Sequence, residues 1–184
     1  MIKRALPFLI VTIIFLITSC GTTAPQNTYA AQMEPAIDQL EKWQSVNADL
    51  EGLLTDPQQS STGVPRIQMI ELYNLAAEYQ ITRDDYVGMG FQPLDILVGD
   101  AHKISQQGHD LIETLSAVTP VEETKAAHQV VVNCIQERVA FAEELETSLK
   151  DLSSVDLSLY DQASDCVAFG ASLEKLTAYV NANK

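Results

Sequence analysis

The chain is short of positive charge and of aromatic side chains, and it carries none of the compact motifs that announce a reaction. Eleven Lys and Arg stand against 25 Asp and Glu, and Phe, Trp and Tyr together make up 7% of the residues. The shortage of cations excludes nucleic acid as a partner, because a negative surface repels phosphates. No HExxH, ExxH or CxxCH occurs, so zinc-protease, di-iron and covalent-haem bundles are not signalled. No GxSxG elbow marks a serine hydrolase. Adjacent carboxylates stand at Asp84-Asp85, Glu122-Glu123 and Glu143-Glu144. Neighbours on a helix point about 100° apart, and these fall on polar faces, so they read as solvated surface and not as an acid–base pair. Thr82, with Asp85 three residues on, has the pattern of a capping box. The tyrosines are scattered and build no stacking platform, and the single Trp43 falls on an apolar stripe, where it reads as core. Strand-type alternation and internal repeats are missing as well.

Strongly apolar sequence occurs once, in "IKRALPFLIVTIIFLITSCGTT" (2–23). Lys3 and Arg4 precede an apolar stretch from Ala5 to Ile17, which ends in Thr18, Ser19, Cys20 and Gly21. A positive end, an apolar middle and a small-residue end make a secretory signal. The apolar part is about 13 residues, against the roughly 20 that a membrane span needs. No positive cluster follows it to stop transfer.

The residues Ile17-Thr18-Ser19-Cys20 resemble the lipobox of bacterial lipoproteins, with Ile17 where Leu is commonest. The resemblance covers the first twenty-odd residues. It implies cleavage between Ser19 and Cys20, diacylglycerol on the Cys20 thiol and acylation of the new N-terminus. It adds no cofactor beyond that covalent lipid. One acyl chain holds a protein only marginally, whereas two or more anchor it stably. The resemblance therefore implies an extracytoplasmic protein attached to a bacterial membrane without spanning it, and leaves inner or outer membrane open.

Three segments are expected: a cleaved signal peptide (1–19), a flexible tether (20–33) and a single helical domain (34–184). Loss of residues 1–19 removes two cations and no acid, leaving nine basic residues against 25 acidic ones and a net charge of −16. Residues 21–33 (GTTAPQNTYAAQM) are small and polar, as a tether requires. Beyond them the apolar period is helical. Met33, Ile37, Leu40, Trp43, Leu50 and Leu54 form the first stripe, which ends at "TDPQQSSTGVP" (55–65). A second helix is predicted from about Pro65 to Gln80, then a loop or short turn over 81–93. The third stripe is the most regular: Leu94, Leu97, Ala101, Ile104, Gly108, Leu111, Leu115 and Val118 follow steps of three and four, the seam of a packed antiparallel bundle. Thr119-Pro120-Val121-Glu122 reads as the start of a fourth helix, which carries His128, Val132, Ile135, Val139, Ala142, Leu145 and Leu149. A fifth is predicted with Leu159, Ala163, Cys166, Phe169, Leu173, Leu176 and Val180 on one face. The expected fold is all-α: an up-and-down antiparallel bundle of four long helices plus a shorter one.

Cys134 and Cys166 are the cysteines left once Cys20 is lipidated. An even number in an oxidising compartment favours a disulfide. A simple hairpin turning near residue 152, however, puts residue 170 level with Cys134 and leaves Cys166 roughly 6 Å off, so two buried thiols are equally compatible. His102 and His109 share a helix face beside the seam. If helix one runs up, helix two down and helix three up, then Met33, Met89 and His102 fall at one end. Met and His ligands suit copper or haem, and the alternative is solvent-facing histidines with packing methionines. His128 lies on an apolar stripe and is expected partly buried.

Three functional classes follow. The first is a non-enzymatic binding or interaction module, anchored to a membrane and open to a protein or cationic partner. The second is an envelope metal- or haem-binding protein using His102, His109, Met33 and Met89. The third is an enzyme of unrecognised type.

Overall fold

Four helices pack side by side, each burying most of the stripe its sequence carries. A computed structural model of the chain describes residues 28–90, 94–161 and 164–184. The signal-peptide segment, the Ser19/Cys20 lipobox and tether residues 20–27 lie outside the described residues. The helices are α1 (Thr28–Thr55), α2 (Arg66–Glu78), α3 (Arg83–Gly88), α4 (Asp95–Ser116), α5 (Lys125–Asp151), α6 (Ser158–Asp161) and α7 (Phe169–Ala182). No strand occurs among the described residues, and none of their helices is long and apolar enough to cross a membrane. The fold is the all-α bundle that the periodicities predict.

The four long elements form a square in the order α1, α4, α5, α7, each packed on the next and α7 closing onto α1. Directions follow from contacts at two levels. Trp43 of α1 donates its indole N–H to the Ile104 carbonyl of α4 at 3.3 Å. Lower down, Tyr29 of α1 meets His128 of α5 and Tyr179 of α7, and His128 is hydrogen-bonded to the Leu115 backbone. Hence α1 and α5 run up while α4 and α7 run down.

Every member of the third stripe is buried, including the flanking Leu94 and Val118. Its smallest member permits the closest approach. A Cβ on Gly108 would lie 2.2 Å from Val139 Cγ2, with Ile135 Cγ2 and Trp43 Nε1 both at 3.4 Å. Glycine is there because α5 occupies the space a methyl group needs.

The second helix differs from the alternating up-and-down order. It does not return along the bundle but lies across its top. Tyr73 donates to the Ser148 carbonyl at 3.3 Å, and Asn74 exchanges two hydrogen bonds with the Val155 backbone, at 2.8 and 2.7 Å. Arg66, 3% exposed, donates to the carbonyls of Leu53 (3.1 Å) and Gln59 (2.5 Å). A buried cation thus sits against the negative C-terminal end of α1, where the helix dipole favours it. Gln80, at φ 56°, closes α2: the Gln80 and Ile81 N–H groups bond back to Ala77 and Ala76, a Schellman ending without its usual glycine.

Three boundaries move. Helix α1 starts at Thr28, inside the segment read as tether, because Tyr29, Ala30 and Met33 are buried, and it continues through Pro35. Helix α5 starts at Lys125 and not after Thr119. Val118 is drawn into the core, and the Val121 carbonyl accepts from the N–H groups of Thr124 and Lys125 at 3.0 Å. The fifth predicted helix is broken into α6, a 3-10 turn (Ser164–Ala168) and α7.

Gly108→Ala should lower stability by about 1–3 kcal/mol through overpacking, although alanine is the better helix former by ~1 kcal/mol. Adding Val139→Ala should recover part of the loss. Urea denaturation measures both, and a single variant as stable as the parent would contradict the close approach.

Candidate functional site

Three separate places hold the histidines and cysteines singled out from the sequence. On the face shared by α4 and α5, His102 Nδ1 lies 3.2 Å from Glu146 Oε2, and His109 Nε2 lies 2.7 Å from Glu143 Oε1. The Ser105 hydroxyl donates to the same Glu143 oxygen at 3.3 Å, and Lys150 pairs with Glu146. Both histidines are more than half exposed. The two pairs form a ladder across the helix interface. Glu146 is held below the usual carboxylate range by its hydrogen bond from Lys150 and, after that, by His102.

Met33 is not at this end. Since α4 starts at the top of the bundle, Met33 lies below the Trp43–Ile104 level and His102 above it, roughly 20 Å apart along the axis. Met33 is fully buried and Met89 is 60% exposed beside α3. The four residues considered as metal ligands are therefore not brought together. Among the described residues no group of three or more His, Cys, Asp or Glu gathers as a metal site would require.

The cysteines occupy a second place. Cys134 lies on α5 and Cys166 on the 3-10 turn before α7, with Cα atoms 4.8 Å apart and sulfurs in bonding contact at 2.04 Å. The 6 Å mismatch vanishes because residue 166 is not on a helix continuous with α7; the turn carries it back over α5. Next to the bridge a cleft of about 310 Å³ opens between α1 and α5, with Trp43, Asn47, Glu51 and Arg138 in its wall. Glu51 accepts from the Tyr160 hydroxyl. Arg138 Nη2 lies 3.4 Å from Glu51 Oε2, and its guanidinium stacks 5.0 Å from the Tyr160 ring centroid. Burial, then the neighbouring Glu51 carboxylate, raises the Tyr160 pKa far above its ordinary value. The group is a Tyr–Glu–Arg latch across three elements. Sequence reasoning missed it, because its members are 51, 138 and 160.

The third place is the bottom of the bundle. His128 is 7% exposed, with Nδ1 3.3 Å from the Tyr29 hydroxyl. Burial pushes its pKa down from 6.5, opposed by the hydrogen bond to Leu115. Nearby, an open groove between α1 and α7 is walled by Glu34, Asp38 and Glu41, and Lys184 pairs with Glu34 at 2.9 Å.

The paired carboxylates divide. Glu122 and Glu123 are exposed. Glu143 engages His109, while Glu144 accepts from the Ser148 hydroxyl at 2.8 Å and the Asp156 N–H at 3.1 Å, holding the chain after α5. Thr82 caps α3, accepting from Asp85 N at 3.2 Å and donating to Asp85 Oδ2 at 2.7 Å.

Compared with known proteins, the chain matches no family model, no curated protein sequence and no solved structure.

Two tests follow from this geometry. Closing a 32-residue separation stabilises by about 3–4 kcal/mol in the chain-entropy account. Chemical denaturation should therefore show a loss of that order on adding reductant; an unchanged midpoint would mean free thiols. The second concerns His128. Its folded pKa is depressed, so around and just below pH 6.5 the unfolded state binds more protons, and the stability it contributes falls as pH drops. Between pH 7 and 5 the parent should lose stability relative to His128→Gln. A constant difference across that window would contradict the depressed pKa.

Proposed function

We propose that this chain is a lipoprotein held on the extracytoplasmic face of a bacterial membrane through Cys20, its bundle acting as a binding module and not as an enzyme. The observation that carries the reading is the end of the apolar run at Ile17-Thr18-Ser19-Cys20, behind Lys3 and Arg4 and too short to span. Two structural facts support it. The described part of helix α1 runs from Thr28, eight residues past Cys20 in the sequence, so the attachment point lies near the lower end of the bundle. The sulfurs of Cys134 and Cys166 sit in bonding geometry, and such bonds persist in oxidising compartments.

The binding-module reading rests on how the polar groups are used. His102 and His109 pair with Glu146 and Glu143, and Glu51, Arg138 and Tyr160 form a latch, which leaves them as structural ties. The acidic mature surface favours a cationic partner and disfavours nucleic acid and anionic headgroups.

Cells expressing the full chain and fed labelled palmitate should yield labelled protein, and Cys20→Ala should abolish the label and retain residues 1–19, seen as a larger intact protein. Label on the variant, or none on the parent, would overturn the anchor.

A further inference from the structure

Among the described residues, the top of the bundle carries an apolar face that no other element covers. On α2 the core side is Arg66, Met69, Ile70, Tyr73 and Ala76. The opposite side presents Leu72, Leu75 and Tyr79, which are 44%, 50% and 70% exposed. Their spacing of three and four places them in one stripe along the outer surface. On the adjoining α3 and after it, Val87 and Met89 are exposed as well. Single exposed apolar residues need no explanation, whereas an aligned set at one end does.

Charge around the stripe selects what fits it. Arg66 and Arg83 are the only basic residues between positions 60 and 100. Arg66 is buried against α1, and Arg83 is paired with Asp95. Glu71 and Glu78, on the outer side of α2 beside the stripe, are exposed, and so are Asp84 and Asp85 on α3. The face is therefore a short apolar row with an acidic border. We propose that it docks an amphipathic helix of a partner protein, one whose apolar stripe of helical spacing is flanked by Lys or Arg. A second copy of this chain would set acid against acid. An anionic membrane is repelled for the same reason. The anchoring membrane is also at the wrong end: α1 extends roughly 42 Å at 1.5 Å per residue from Thr28 to the end that α2 covers.

The proposal rests on the binding-module reading and names its partner's chemistry. The full lipidated chain, carried in phosphatidylcholine nanodiscs, tests it by titration against a fluorescent Leu/Lys peptide with leucines at helical i, i+3, i+4, i+7 spacing, the signal from empty discs being subtracted. Failure of the anchor would show as protein that does not enter discs; failure of the docking face would show as loaded discs that do not bind. The parent should bind the peptide. The triple variant Leu72→Ser/Leu75→Ser/Tyr79→Ser, with unchanged circular dichroism, should weaken binding about tenfold or more. Glu71→Lys/Glu78→Lys should weaken it too and flatten its salt dependence. Three results would overturn the proposal. One is equal binding by the triple variant. Another is equal binding of a Leu/Glu peptide or of a Leu/Lys peptide with scrambled leucines. The third is parent dimerisation in sedimentation that the triple variant abolishes.

Discussion

The close approach of α4 and α5 at Gly108 is the constraint on which the other arrangements depend. Where a methyl group would meet Val139 at 2.2 Å, the two helices lock in one register. That register places His102 opposite Glu146 and His109 opposite Glu143. It also lets the Trp43 indole enter from α1, fill the space beside the glycine and reach the Ile104 carbonyl. Packing at native density tolerates little slippage, so the position of α1 follows from that of the α4–α5 pair. Helix α7 then closes the square, with Phe169 against Trp43 and Tyr179 against Tyr29.

The two ends of this square differ in kind. At the lower end, close to the first described residues, the Tyr29 ring packs against His128 and Tyr179. The upper end is covered by α2 and α3, held through Arg66, Tyr73 and Asn74 on backbone carbonyls. A cap fastened by its inner face leaves its outer face to be specified independently, and there the residues are apolar and bordered by acids. In the proposed function the lower end is the lipid side and the upper end is the side offered to a partner.

Periodicity made the helices and their buried faces legible. The stripe from Leu94 to Val118 is buried throughout, because alternating steps of three and four have one physical solution in a bundle. Placement was less legible. The stripe of α2 tells which side is inside, not whether the helix runs along the bundle or across its end, and this choice moved Met33 away from His102. The apolar spacing of the fifth stripe persists through a segment that folds as α6 and a 3-10 turn, so it reads as one helix; that reading sets Cys166 about 6 Å off the level of Cys134 and leaves bridge and free thiols equally open. The Tyr160–Glu51–Arg138 latch and the ties made by Glu143 and Glu144 join residues far apart in sequence, so no local pattern could mark them. The lipobox reading concerns residues beyond the described ones and stands on sequence chemistry.

The central claim is that the bundle is polar, lipid at one end and docking face at the other. Energy transfer to headgroup-labelled lipid in proteoliposomes tests it most directly, with a donor dye on Lys184→Cys at the lower end or on Glu78→Cys at the upper end. The account predicts clearly stronger transfer from position 184 than from position 78. Equal transfer from both, or stronger transfer from position 78, would contradict it.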